Sequence, residues 1–399
     1  MRVVFRFYAV YSQGLVDRAD FSTSKIGRRV DLRRRYQHSC RYLRKGWSWV
    51  GARGTALWVR ARSTALWVGV VVVFSMVIVT GCQSPVTQRE HAERYPLFDA
   101  MRGELGPFQY GKEVDAPRTR RYYRKCVVGL PDAYHQPGFF EFDGVAMAVH
   151  AFYPTFPRTE SESGTVIVLH GYLSHALDHA PLINRALREG YVVIAPELPG
   201  HGLSGGNRGG IDDFRTYGAF LDTVIKLIAG DAPRPWHVVG HSTGALAIFE
   251  YLRDNTAGTD PFEAVILVAP LIRSWAYGAA RFGRFITSPV IDTVLTQYDS
   301  PLGVPQMPLS WFDAQVEWNR ELQRNAETEP PVLRELLVLQ GNRDTVVAWR
   351  YNRKIIRQVF PLAEYQMISG GTHTMLQEET PRQDEVLDRI IRYVGGTVE

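Results

Sequence analysis

The sequence predicts an α/β fold: a mainly parallel sheet with helices on both faces. Three observations lead there. From about residue 139, short apolar runs recur at regular intervals with amphipathic stretches between them. The runs are β-branched or leucine-rich and nearly continuous, the pattern of strands buried on both faces. One run leads straight into a glycine-bounded turn and then an alanine-rich segment, which reads as strand, turn and helix.

Residues 139–142 and 145–152 flank Asp143-Gly144 and read as a β-hairpin. The runs at 165–169, 191–195, 237–239, 264–269 and 336–339 are the following strands. Helices are expected at 180–188, 217–229 and 243–253. Sheets of this kind bind ligands beyond the carboxyl ends of their strands, so the loops after these runs are where chemistry is sought.

The loop after 237–239 reads Gly240-His241-Ser242-Thr243-Gly244, a G-x-S-x-G motif. Alone, the motif is weak, and a glycine-bounded turn with a capping serine would explain it. The flanking strand and helix make it specific. So sharp a bend leaves little room for side chains, and it lifts the serine hydroxyl above the sheet at the positive end of a helix. A hydroxyl becomes nucleophilic only with a base, and the base needs an orienting acid. The expected chain order is Ser, then Asp or Glu, then His. Asp344 follows the run at 336–339, in Gln340-Gly341-Asn342-Arg343-Asp344. It also suits an Asx turn or a helix N-cap, and it could do both jobs. His373 follows the last apolar stretch, in Gly370-Gly371-Thr372-His373, and is the only histidine after His241. Two backbone N–H groups should face the developing oxyanion. Thr243 is expected to supply one, and Tyr172, in the His170-Gly171-Tyr172 loop after 165–169, the other. His170 is expected to hold that loop in shape.

At this point the sequence resembles the α/β-hydrolase superfamily, and within it the monoacylglycerol lipase and lysophospholipase-like serine hydrolases. The resembling residues are His170-Gly171-Tyr172 with Ser174-His175, and Pro199-Gly200-His201-Gly202-Leu203-Ser204. They continue with Asn207-Arg208-Gly209, Phe214 and Tyr217, then Gly240–Gly244, Asp344 and His373. The resemblance covers roughly residues 140–270 and 332–395. It departs at Glu197, where the group usually has Asp, and at Thr243, where it usually has Met. It implies hydrolysis of esters of lipid-like substrates and leaves the substrate itself open.

The hydrolase core is therefore expected at 139–270 and 332–399, with a helical cap insertion at 271–331. The insertion holds Trp275, Tyr277, Phe282, Phe285, Trp311, Phe312 and Trp318. These aromatics could line an acyl-chain site beneath a lid; packing the cap onto the core is the plainer reading for most of them. His175 and His179, four apart with Asp178 between, have a metal-like spacing, but a solvated helix start is the preferred reading. No P-loop, dinucleotide fingerprint or zinc-ligand spacing is present, so neither cofactor nor metal is expected.

The N-terminal part reads as addressing. Residues 63–84 carry no charge, 65–79 are almost wholly apolar, and Arg60 and Arg62 stand just before them. This is the layout of a secretory signal. It ends in Val79-Thr80-Gly81-Cys82, which resembles a bacterial lipobox. Residues 63–82 are thus expected to be a lipoprotein-type signal with Cys82 as the lipid attachment point; an uncleaved membrane helix is the alternative. Either places the body outside the cytoplasm, in the cell envelope. Gln83 after the cysteine favours the outer membrane if the source cell has one. Residues 1–62 form a basic extension, read either as an over-extended gene start or as a basic arm. Residues 83–138 are a tether and lead-in with helical pieces, and Cys126 is expected to be a quiet packing residue.

Composition agrees with a folded protein: 45% hydrophobic and 22% charged over 399 residues, with three cysteines. Residues 1–62 hold fifteen Lys and Arg against three Asp, so the rest of the chain carries −7 within a total of +5. The basic pI belongs to the leader, and nucleic acid is not an expected partner. The expected partners are an ester substrate and, through Cys82, a membrane. Two rival functions remain: an aminopeptidase or small-ester hydrolase with the same triad, and a lipid-anchored binding protein on a non-catalytic hydrolase fold.

Overall fold

A computed structural model describes residues 87–124, 133–155, 162–255, 260–275, 277, 293–295, 301–326, 328–378 and 380–396. All of them belong to one unit of the chain, Val72–Glu399. Eight strands form the main sheet: β1 Tyr134–Phe142, β2 Val145–Tyr153, β3 Thr165–Leu169, β4 Val192–Pro196, β5 Trp236–His241, β6 Phe262–Val268, β9 Leu336–Gly341 and β10 Ala363–Ile368. Their spatial order is β1-β2-β4-β3-β5-β6-β9-β10. The six strands from β4 to β10 run parallel, while β1 and β2 are antiparallel to each other and β2 to β4. Between β6 and β9, strands β7 Thr293–Leu295 and β8 Gln306–Pro308 make a separate antiparallel pair.

Nine helices are described. They are α1 Gln88–Arg94, α2 Pro96–Arg102, α3 Pro117–Arg124, α4 Ala180–Arg188, α5 Arg215–Ile228, α6 Thr243–Asp254, α7 Ser310–Asn325, α8 Trp349–Val359 and α9 Pro381–Val394. Alternate residues of the central strands serve opposite faces of the sheet. Ile167 and Leu169 of β3 pack with α5, α6, α7 and α8. Val166 and Val168 pack with α2, α4 and α9. All five residues of β3 are buried, and so are all five of β4. Burial on both faces explains why these strands read as continuous apolar runs, and each large aliphatic side chain buried this way contributes roughly 1.5–3 kcal/mol.

The hairpin expected at Asp143-Gly144 joins β1 to β2, with Phe142 paired to Val145. Both turn residues have positive φ, 53° and 71°, as the favoured two-residue hairpin turn requires. The expected boundary at residue 139 falls inside β1, which begins at Tyr134 and includes Pro137. Proline is tolerated there because β1 is an edge strand. The lead-in also contributes to the core: Phe98 and Met101 of α2 and Tyr123 of α3 are fully buried. Among the described residues, no helix is long and apolar enough to cross a membrane. Residues 1–82, with the signal segment and Cys82, lie outside the described residues, as do Cys126, Phe282 and Phe285.

Candidate active site

Strand β5 passes straight into α6 through Ser242, whose backbone takes φ 53° and ψ −108°. Positive φ is costly for a residue with a Cβ and persists only where the surroundings enforce it. The two motif glycines show how the surroundings do so. A Cβ on Gly244 would overlap the Leu169 carbonyl of β3, and one on Gly240 would overlap the backbone of Gly244. The turn is thus pressed against the neighbouring strand end, and the serine projects from its apex.

Three residues far apart in sequence meet there. Ser242 Oγ lies 3.0 Å from His373 Nε2, and His373 Nδ1 lies 2.9 Å from Asp344 Oδ2. All three are buried, at 5%, 7% and 6% exposure. The carboxylate can only accept, so Nδ1 carries the proton and Nε2 is left to accept from the serine hydroxyl. Asp344 does a second job with its other oxygen: Oδ1 accepts from the backbone N–H groups of Val346 at 2.8 Å and Val347 at 3.0 Å. Oδ2 also accepts from Gln340 Nε2 at 3.0 Å. Burial alone would raise the Asp344 carboxyl. The charge and hydrogen bond of His373 and the two loop N–H groups outweigh it, holding the group below the ordinary range and ionised. The Asx turn and the contact to His373 are therefore properties of one carboxylate.

The loop after β3 approaches closely. A Cβ on Gly171 would stand 3.0 Å from His241 Nδ1 and 3.2 Å from Ser242 Cβ, so glycine lets this loop lie against the Ser242 turn. The Thr243 N–H heads α6, where first-turn amides have no intrahelical partner. Among the described residues, neither it nor the Tyr172 N–H donates a hydrogen bond within the protein. Both amides are therefore free to donate to a substrate oxygen. His170 is buried at 1% exposure and ties two loops together. Its Nδ1 donates to the Gly171 carbonyl at 2.8 Å, and its Nε2 accepts from Leu198 N–H at 2.9 Å. The Tyr172 side chain turns away from the serine, donating to the Gly209 carbonyl at 2.8 Å and lying on the indole of Trp311. Trp311 and Trp318 of α7 are buried, and they form an aromatic cluster with Phe214 and Tyr172. Most of the described aromatics of the insertion therefore pack inward; Trp275 does not.

The reading of His175–His179 as a solvated helix start is corrected. His175 is 6% exposed and His179 fully buried, and the segment is a 3-10 turn from Ala176 to His179. Asp178 supports the turn by accepting from Ser174 Oγ at 2.7 Å. Among the described residues, no group of three or more His, Cys, Asp or Glu is placed to hold a metal.

Sequence reasoning missed a buried polar node at Glu197. Its carboxylate accepts from Tyr123 Oη at 2.8 Å and from the Ala176 N–H at 3.1 Å, and it lies 3.4 Å from His150 Nε2 and 3.2 Å from His170 Nε2. Burial alone would raise this carboxyl; the His150 and His170 contacts hold it well below the usual range. His135 Nε2 and His150 Nδ1, 3.0 Å apart, extend the chain of polar contacts. A carboxylate directly after an apolar strand, between two prolines, is the sequence signal that could have marked it.

Comparison with known proteins agrees with this architecture. Residues 160–299 match the family described as serine aminopeptidase, S33. A monoacylglycerol lipase of Mycolicibacterium smegmatis is 29% identical over 134 residues, 33% of this chain and 46% of that protein, so the match spans about half of the relative. The 30 kDa subunit of the magnesium chelatase of Rhodobacter capsulatus is 24% identical over 240 residues, 53% of this chain and 81% of that protein. The crystal structure of a soluble variant of monoglyceride lipase from Saccharomyces cerevisiae shares the fold. It superposes with a TM-score of 0.56 at 16% identity, covering 68% of this chain and 98% of that one. With the mostly parallel eight-stranded sheet and the serine at the β5–α6 turn, these similarities show that the chain has the α/β-hydrolase fold and is similar to the monoacylglycerol lipase group.

Proposed function

We propose that the protein is a serine hydrolase that cleaves carboxylic esters of lipid-like substrates, of the monoacylglycerol or lysophospholipid type, through an acyl-enzyme. The observation that carries this reading is the continuous hydrogen-bond chain from Ser242 Oγ through both nitrogens of His373 to Asp344. Ser242 attacks the ester carbonyl while His373 Nε2 takes its proton. The ionised Asp344 holds the imidazole in the required tautomer and stabilises the imidazolium. The N–H groups of Thr243 and Tyr172 receive the oxyanion. His373 then protonates the leaving alcohol, and water discharges the acyl-enzyme by the same route in reverse. Neither metal nor cofactor has a step in this scheme.

A substrate panel tests the reading: monoacylglycerols, lysophospholipids, short p-nitrophenyl esters and amino-acid amides assayed side by side, with Ser242→Ala as the control. The expected result is fastest turnover of the glycerol or lysophospholipid esters, abolished in the variant. The description of the matching family as a serine aminopeptidase favours a second reading, in which the same triad cleaves amino-acid amides; dominant amide turnover would select it. The addressing segment completes the proposal. With Cys82 lipidated, the hydrolase would be held in the cell envelope outside the cytoplasm, in the outer membrane of a cell that has one. A mass spectrum of the mature N-terminus tests this, with a diacylglyceryl-modified Cys82 as the expected species.

A further inference from the structure

Helix α8 carries Arg350, Arg353, Lys354 and Arg357 and no acidic residue. The spacing i, i+3, i+4, i+7 sets all four on one face; the opposite face buries Asn352, Ile355, Ile356 and Val359. Arg350, Lys354 and Arg357 are exposed, and Arg353 is half-buried. None has a carboxylate within ion-pair distance among the described residues, where Arg118, Arg185, Arg215, Arg253, Arg334 and Arg389 each have one. The three arginines lie beside aromatic rings instead. Arg353 and Arg357 both lie 5.3 Å from the centre of the Tyr365 ring on edge strand β10, and Arg350 lies 4.1 Å from that of Trp349. Like charges at these spacings disfavour a helix, so the stripe is held together by its buried face and the rings beneath it. It stands out against the net negative charge of the chain beyond residue 62.

A second observation narrows the partner. The loop leading into α8 joins the start of the insertion, where the Trp275 N–H donates to the Val346 carbonyl at 2.8 Å. Trp275 is 70% exposed and Val346 46% exposed. An exposed tryptophan and valine near the start of a row of cations that have no ion-pair partner among the described residues is the chemistry of a surface that meets lipid: the indole sits at headgroup level while the cations face phosphate. A duplex nucleic acid would use the cations, but its phosphates give the apolar pair nothing to contact.

We propose that the α8 stripe, with Trp275 and Val346, is a docking surface for an anionic lipid membrane. The stripe spans about 10 Å and begins six residues after Asp344. Docking there would set the loop that carries this carboxylate toward the bilayer.

The test uses the full chain with vesicles of phosphatidylcholine, with or without phosphatidylglycerol. Amine labelling by sulfo-NHS-acetate, read by peptide mass spectrometry, reports on Lys354. Its labelling is expected to fall severalfold with the anionic vesicles alone, while Lys226, exposed on α5, stays labelled. In flotation, the anionic-to-neutral partition ratio of R350E/K354E is expected to fall at least about 25-fold, from about fivefold per cation near an anionic surface. A lipid at Cys82 would act equally on both vesicle types, and residues 1–62 equally in both proteins, so the ratio isolates the stripe. Unchanged Lys354 labelling, or a variant that partitions like the wild type, would overturn the proposal. Turnover of a soluble ester by the variant is expected to be unchanged. Vesicle binding needs no catalysis, so this inference and the ester-hydrolase reading fail separately.

Discussion

Tyr172 and Trp311 stack nearly face to face, their ring centroids 4.1 Å apart and their planes 19° from parallel. One belongs to the loop after β3, beside Ser242, and the other to α7 in the insertion. Trp311 also donates to Tyr217 Oη at 3.3 Å, so one indole braces both the loop and the core helix α5. Trp311→Ala should therefore act twice. Loss of a buried indole costs about 3–5 kcal/mol in stability. Loosening Tyr172 should lower turnover about tenfold, because a small displacement of a positioned donor is expensive. Thermal unfolding and kcat measured together check both, and Trp311→Phe should recover most of the loss in each.

The two oxygens of Asp344 can be separated by substitution. In Asp344→Asn, the remaining oxygen can still accept from Val346 and Val347, while the amide nitrogen gives up the bond from Gln340 Nε2, faces His373 Nδ1 and forces the wrong tautomer. Turnover should fall about 10⁴-fold with little change in melting temperature. Asp344→Ala should lose as much activity and also melt lower, because the loop cap goes too. Equal melting temperatures for the two variants would contradict the double role.

The buried carboxylate of Glu197 is expected to be structurally expensive to disturb. Glu197→Gln keeps its shape but removes the charge that the surrounding histidines and Tyr123 face. Breaking a buried network of this kind typically costs about 3–5 kcal/mol. Tyr123→Phe removes one donor and should cost about 1–2 kcal/mol. A double-mutant cycle by denaturant unfolding should show the pair to be non-additive.

Stability should fall as pH rises through the range set by Glu250. Burial pushes this carboxyl up to about 7, against a partial offset from Arg253. Its folded-state pKa is above its unfolded value, so the folded protein holds the proton more tightly. The associated stability is fully present below the unfolded pKa of 4.5 and is lost between there and about 7. The loss is of order 3 kcal/mol. Glu250→Gln, which cannot ionise, should be more stable than the wild type at pH 8 and should flatten the dependence of melting temperature on pH across that window.

The central strands and the helices after them were legible because burial on two faces leaves an unmistakable run. β3 and α4 begin and end where the sequence places them, and the Ser242 turn was readable because its glycines are sterically required. The partners of Ser242 were legible from chain order, since a single histidine follows His241. What stayed hidden depended on contacts distant in sequence. Pro137 disguised an edge strand, because being at an edge is a property of the sheet. His179 reads as polar and solvated by type, yet it is buried beside His241, their ring centroids 5.4 Å apart. Helix α8 was missed because its four cations crowd a narrow apolar face of Ile355, Ile356 and Val359. Glu197 could not be read as a node until the lead-in helix carrying Tyr123 was seen to fold against it.

The proposed function requires Ser242, 3.0 Å from His373 Nε2, to be a reactive nucleophile. Labelling of the intact protein with a fluorophosphonate probe, followed by peptide mass spectrometry, tests it most directly. One adduct per chain is expected, on Ser242, and none in His373→Ala under the same conditions. An unlabelled Ser242 in folded protein, or equal labelling after loss of His373, would contradict it.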